Sequence, residues 1–176
     1  MKRVITAVLI GSATAVSAQE LRVLMPTPGQ RACYGRMYDR AHLADHPDQL
    51  VTFMALELKA PQTPMHREPN TTYRDFDFTL WVKVRGKDQV FWTGDNCDWS
   101  YDGKTVRCPV VCDGGEFHIT PARQAGSITL TVDREVAFDT NCDSENKAPK
   151  VVTGKDDKVF RLDIAQPGLC AQLPKR

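Results

Sequence analysis

A chain of 176 residues with 23 Lys or Arg and 22 Asp or Glu carries a formal net charge of +1, which excludes the clustered basic excess that nucleic-acid binders use to neutralise phosphates. No basic run exceeds two residues, and the one continuous apolar stretch, Val4 to Ile10 with its small-residue continuation, is shorter than the ~20 residues a membrane-spanning helix needs. Apolar residues at 41% and charged residues at 26% suit a single globular domain.

In chain order, Met1-Lys2-Arg3 gives a positive start, Val4 to Val16 an apolar or small-residue run, and Val16-Ser17-Ala18 a signal-peptidase pattern. Residues 1–18 are therefore expected to be a signal peptide, cut before Gln19, leaving residues 19–176 as one disulfide-bonded β domain. Losing Lys2 and Arg3 moves the net charge from +1 to −1. No Cys stands immediately after the cut, the first being Cys33, so release to the periplasm or exterior is expected, without a lipid anchor. Leu24, Met25, Tyr34, Met37 and Tyr38 need burial, and Arg36 to Asp45 has the spacing of a short helix stopped by Pro47. Leu50 to Leu58 is a strand candidate, followed by a polar, Pro-rich loop from Ala60 to Asn70.

From Tyr73 the dominant period is two, the mark of half-buried strands. Phe76, Phe78, Leu80, Val82 and Val84 alternate with polar residues and Trp81. A loop from Gly86 to Asp88 places Val84 against Val90 and Val82 against Trp92, so that Phe91 lies beside Lys83. Gly94-Asp95-Asn96 reads as a break, and Asp102-Gly103 as a hairpin turn between Cys97–Tyr101 and Lys104–Cys112. Further strands run around Phe117 and Ile119, from Ile128 to Val132, around Val136 and Phe138 after Asp133-Arg134, at Val151-Val152, and from Lys158 to Ala165. Eight or nine strands with short connections predict an all-β antiparallel meander. Closure into a small barrel removes exposed edges, with a two-sheet sandwich as the alternative.

Six cysteines in an exported chain imply disulfides. Counting outward from Asp102-Gly103 pairs Cys97 with Cys108. Cys112 with Cys142 pins the polar loop Asp143 to Lys150, and Cys33 with Cys170 staples the N-terminal segment to the last strand. In a two-residue loop the first pair falls at a hydrogen-bonded, wider position, so a bulge is expected there.

Four blocks, Cys33-Tyr34-Gly35-Arg36 with Tyr38-Asp39, His42-Leu43-Ala44 with His46-Pro47, Cys112-Asp113-Gly114-Gly115, and Asp156-Asp157-Lys158-Val159-Phe160-Arg161-Leu162, resemble those of a group of small exported bacterial proteins with no assigned activity. The resemblance spans most of the mature chain and implies a bacterial single-domain protein, with no site residue to carry over. Over Cys112 to Gly115 alone the chain is also similar to the β-barrel inhibitors of C-type lysozyme, whose Ser-Gly-x-x-Tyr segment is absent.

Chemistry-bearing constellations are few. His42 and His46, four apart beside Asp39 and Asp45, are the candidate metal ligands, but Pro47 and the lack of a third ligand make weak or absent zinc binding the expectation. Asp98-x-Ser100-x-Asp102-Gly103 imitates a calcium loop, yet its twelfth position is Pro109, so a hairpin turn explains it better. Ser100, Ser127 and Ser144 lack a Gly-x-Ser-x-Gly setting, and Asp75 with Asp77 and Asp156 with Asp157 read as solvated pairs. No cofactor is expected. A recognition patch on the outward strand face, Trp81, Lys83, Arg85 and Phe91, has the composition of a protein-binding hot spot, unless the N-terminal segment covers it. The function expected is a non-enzymatic β-barrel that binds a protein or envelope macromolecule, in one form a hydrolase inhibitor. A carrier with an apolar ligand inside the barrel and a hydrolytic enzyme are the alternatives.

Overall fold

The computed structural model describes residues 18–62, 75–111, 113–138, 150–152, 155–166 and 168–174, with backbone alone for 18–20 and 150–152. Its elements are α1 (Ala18–Leu24), β1 (Arg31–Met37), α2 (Arg40–Asp45), β2 (Val51–Lys59), β3 (Phe76–Val84), β4 (Val90–Trp99), β5 (Val106–Pro109), β6 (Gly115–Pro121), β7 (Ser127–Ala137), β8 (Lys150–Val152), β9 (Val159–Ile164) and α3 (Gly168–Gln172). The apolar N-terminal run and the expected Cys112–Cys142 bridge lie outside the described residues. Among the described residues, no helix is long and apolar enough to cross a membrane.

The strands form one antiparallel sheet in the order β6-β5-β4-β3-β2-β1-β9-β7-β8, and a further β6–β7 pairing closes eight of them into a barrel, with β8 added beside the end of β7. The sequence pattern anticipates this barrel but misplaces several boundaries. Arg31 to Met37 is a strand, which shortens the expected helix to Arg40–Asp45. Apart from Met37, which is exposed, only small and polar residues accompany Tyr34 in that strand, so its period is hard to see. The expected break at Gly94-Asp95-Asn96 is absorbed into β4, and the two strands expected either side of Asp133-Arg134 are one, β7.

The β3–β4 register also differs by one residue: Lys83 faces Val90, Val82 faces Phe91 and Trp81 faces Trp92. Because side chains alternate across a strand, this slip exchanges the faces of β4. Phe91 enters the barrel at 3% exposure, and Trp92 moves outside it. The physical reason is burial: Phe91 joins the continuous interior apolar face of β3, while Trp92 meets an outer apolar row.

Inside, the strands deliver Leu56, Leu58, Phe78, Leu80, Phe117, Ile119, Leu130, Phe160 and Leu162 to one core. Phe78 and Phe117 meet edge to face at 5.0 Å. Helix α1 packs against β6 and β7 and delivers fully buried Leu21 to the same core. The Tyr34 hydroxyl donates to the Leu24 carbonyl at the end of α1. Burial pushes the Tyr34 phenol up to about 12, so that donor keeps its proton at physiological pH.

A second, smaller core lies outside the barrel wall, where Phe53, Ala55 and Trp81 are covered by Leu169, Cys170 and Leu173 of the C-terminal segment. Gly35, Ala55, Trp81 and Trp92 form one cross-strand row under it. Gly35 is needed there, since a Cβ would stand 2.6 Å from Leu169 Cδ2. The Cys33–Cys170 disulfide holds α3 in place and joins residues 137 positions apart in sequence.

Cys97 and Cys108 are bridged as expected, with Cα atoms 4.2 Å apart. The hairpin keeps the expected register, Trp99 against Val106, but has a wider loop. The Ser100 amide donates to the Thr105 carbonyl at 2.8 Å, which closes a four-residue loop. That shift puts the cysteines at the narrow, non-hydrogen-bonded position, so no bulge is required.

Candidate functional site

The residues expected to form one recognition patch are dispersed. Trp81 is 2% exposed beneath the C-terminal segment, where its indole Nε1 donates to the Pro174 carbonyl at 2.8 Å. The cover is thus the C-terminal segment, where the sequence suggested the N-terminal one. Phe91 lies in the interior, Lys83 is half-buried, and Arg85 is exposed. Arg85 reaches instead toward α2, donating to the carbonyl of Leu43 at 3.3 Å and approaching that of His46 at 3.5 Å. It thereby braces the C-terminal end of the short helix, where exposed carbonyls favour a cation.

Helix α2 itself is built by its caps. Asp39 has extended backbone and accepts the His42 amide at 2.8 Å, a side-chain N-cap. Beyond it, the His42 and His46 rings stack at 4.4 Å, and Tyr38 lies 4.9 Å from His42. The Gln49 amide donates to the Val51 carbonyl at 2.6 Å, which turns its Oε1 toward His42 Nε2 at 2.9 Å. The imidazole must therefore carry its proton on Nε2, and that nitrogen is not open to a metal. Asp39 is spent on the cap, and His42 contacts Tyr38, His46 and Gln49.

These side chains wall a cleft of about 230 Å³. It arises because β1 and β9 pair only at Tyr34–Ile164 and Gly35–Asp163, after which the strands part. Arg36, Tyr38, His42 and His46 line one side, and Thr129, Val159 and Arg161 the other. The Arg36 guanidinium sits 5.2 Å from the Tyr38 ring centroid and, among the described residues, pairs with no carboxylate. Arg161 is paired with Asp163 at 3.2 Å. Burial, partly offset by Arg36 and Arg161, pushes the Tyr38 phenol up to about 12, so it stays a neutral donor toward the Arg161 carbonyl. Asp157, expected to be solvated, is fully buried instead, and its carboxylate accepts the amides of Leu50 at 2.7 Å and Val51 at 3.2 Å. Asp156, at the cleft edge, accepts the Asp48 amide at 3.3 Å. The paired carboxylates thus fasten the β2 entry to the β9 entry.

The other candidates resolve into local structure. Asp102 accepts the Ser100 hydroxyl at 2.7 Å and the Lys104 amide at 3.0 Å inside its turn. The Ser127 hydroxyl donates to Asp163 at 2.6 Å, and Asp75 accepts the Trp99 amide at 2.8 Å.

One cluster was missed by sequence reasoning. Gly115 pairs with Val136 and Phe117 with Val132, so β7 holds two more residues than β6 between those pairs and bulges at Asp133 to Glu135. Gly115 permits this with φ +89, where a Cβ would stand 1.8 Å from the Glu135 carbonyl oxygen. The bulge brings Asp133 to His118 and Glu116, which share the outer face of β6. His118 Nε2 lies 3.0 Å from Asp133 Oδ2 and 3.5 Å from Glu116 Oε1. The available signal was Glu116-x-His118 on one strand face opposite the Asp133-Arg134 interruption. Reading that interruption as a strand break hid the proximity.

Comparison of the chain with protein-family models, curated proteins and solved structures finds no match.

Proposed function

We propose that the chain is an exported, non-enzymatic β-barrel binding protein, and that the cleft between α2 and β9 receives an acidic group of its macromolecular partner, a protein or an envelope polymer. The observation that carries this reading is Arg36: a guanidinium with no carboxylate partner among the described residues, backed by an aromatic ring, in a cleft with Arg161 and two imidazoles. Arginine in such a setting offers planar, bidentate recognition of a carboxylate or phosphate. Inhibition of a hydrolase is the finer form of this reading, because catalytic carboxylates are acidic groups a rigid cleft can engage. Export is supported by two disulfides, which persist in oxidising compartments, and by the position of α1: Leu21 belongs to the core, so a cut before Gln19 leaves the barrel intact.

The barrel interior favours surface binding over carriage, since Tyr34, Phe117, Phe138 and Phe160 fill it at 0–1% exposure. The test is affinity capture from a native envelope fraction, with the wild-type chain beside Arg36→Gln/Arg161→Gln. Retention of a discrete partner by the wild type and its loss from the double variant is expected. Identical capture by both would dismiss the cleft as the binding site.

A further inference from the structure

We propose that Glu116, His118 and Asp133 form a binding site for a divalent transition ion of the zinc class, independent of the α2 cleft. One ligand atom from each, an imidazole nitrogen and two carboxylate oxygens, lies within 4.8 Å of the others. Ligands at the Zn–N and Zn–O distance of about 2.0–2.1 Å stand roughly 3.0–3.4 Å apart along the edges of a tetrahedral or octahedral shell. The His118 Nε2 separations of 3.0 and 3.5 Å from the two carboxylates already match those edges. Closure around an ion requires the two carboxylate oxygens, which lie within 4.8 Å of each other, to move onto the third edge.

The two oxygens of Glu116 are differently committed. Oε2 accepts from Arg107, at 2.7 Å from Nε and 2.6 Å from Nη2, while Oε1 faces His118. Arg107 therefore fixes the carboxylate and leaves one oxygen for the ion, the role of an outer partner in metal sites. Beside the cluster opens a cleft of about 480 Å³, lined by Asp113, Glu116, Asp133 and Glu135 against Arg107 and Arg134. Among the described lining residues four acids stand against two bases, a balance that favours a cation, and the open side leaves room for water in the remaining coordination positions. An imidazole in the donor set favours a borderline ion over calcium or magnesium, which prefer oxygen alone. The ion takes the position of the Nε2 proton, which passes to solvent.

Isothermal titration of the oxidised mature chain with zinc is the direct test. One site with a Kd below about 10 μM is expected, unaffected by excess magnesium, weakened tenfold or more by His118→Ala and by Asp133→Asn, and kept by His42→Ala/His46→Ala. All the varied side chains are at least partly exposed, and circular dichroism of each variant verifies that it folds. Binding weaker than about 100 μM, or binding lost from the His42/His46 variant and kept by His118→Ala, would overturn the proposal.

Discussion

Trp81 and Asp98 show what single residues contribute here. Trp81 was legible as a strand residue opposite to the barrel face but not as a buried one, because its cover, Leu169 to Leu173, comes from the far end of the chain. Alternation along a strand reports which face a side chain takes, and says nothing about what lies over that face. Trp81→Ala is accordingly expected to cost about 3–5 kcal/mol in urea denaturation, the range for truncating a large buried aromatic. Asp98 stands half-buried, with one carboxylate oxygen enclosed and unpartnered. Desolvation, then the nearby Asp75 carboxylate, raise its pKa from the ordinary 3.8. The folded chain therefore holds this proton to higher pH than the unfolded chain. The resulting stability is present below 3.8 and is lost as pH rises through the raised folded value. Asp98→Asn should flatten that part of the melting-temperature profile and raise the melting temperature at pH 7. Asp157, raised likewise by burial, contributes a slope of the same sign, and Asp102, lowered by its hydrogen bonds to Ser100 and Lys104, one of the opposite sign. An unchanged profile would show that Asp98 is solvated.

At the scale of elements, legibility followed the contrast between neighbouring side chains. Strand β3 was plain, with apolar and polar positions alternating over its length. Strand β1 was hidden, since Ala32, Cys33 and Gly35 give no contrast. The Cys97–Cys108 and Cys33–Cys170 bridges were reached by counting and by elimination, and both are present. The Glu116, His118 and Asp133 cluster escaped because the Asp133-Arg134 interruption reads equally as a strand break and as the bulge in β7 that it is. Helix α3 has only five residues, too few to persist alone, so its place depends on the disulfide and on the apolar row beneath. Replacing Cys33 and Cys170 by Ser and Ala is expected to lower stability by about 2–5 kcal/mol, the usual cost of losing a native bridge. Tryptophan emission should shift to the red as water reaches Trp81 and Trp92. A stability loss without a spectral shift would mean that packing alone holds the helix.

At the scale of the molecule, a closed barrel whose interior is packed with Tyr34, Phe117, Phe138 and Phe160 supports the proposed surface site. The fold class follows from strand periodicity and short connections, which the chain displays along most of its length. The cleft does not follow, because it needs β1 and β9, more than a hundred residues apart in sequence, to meet at two positions and then separate. Arg36 and Arg161 became partners in one site only through that topology. The most direct test places a photo-reactive amino acid at Val159, 61% exposed on the cleft wall, and irradiates the chain in its native envelope fraction. A single discrete cross-linked partner, absent when Arg36→Gln is added, is the predicted result. No adduct, or the same adduct in the presence of Arg36→Gln, would contradict the assignment of binding to this cleft.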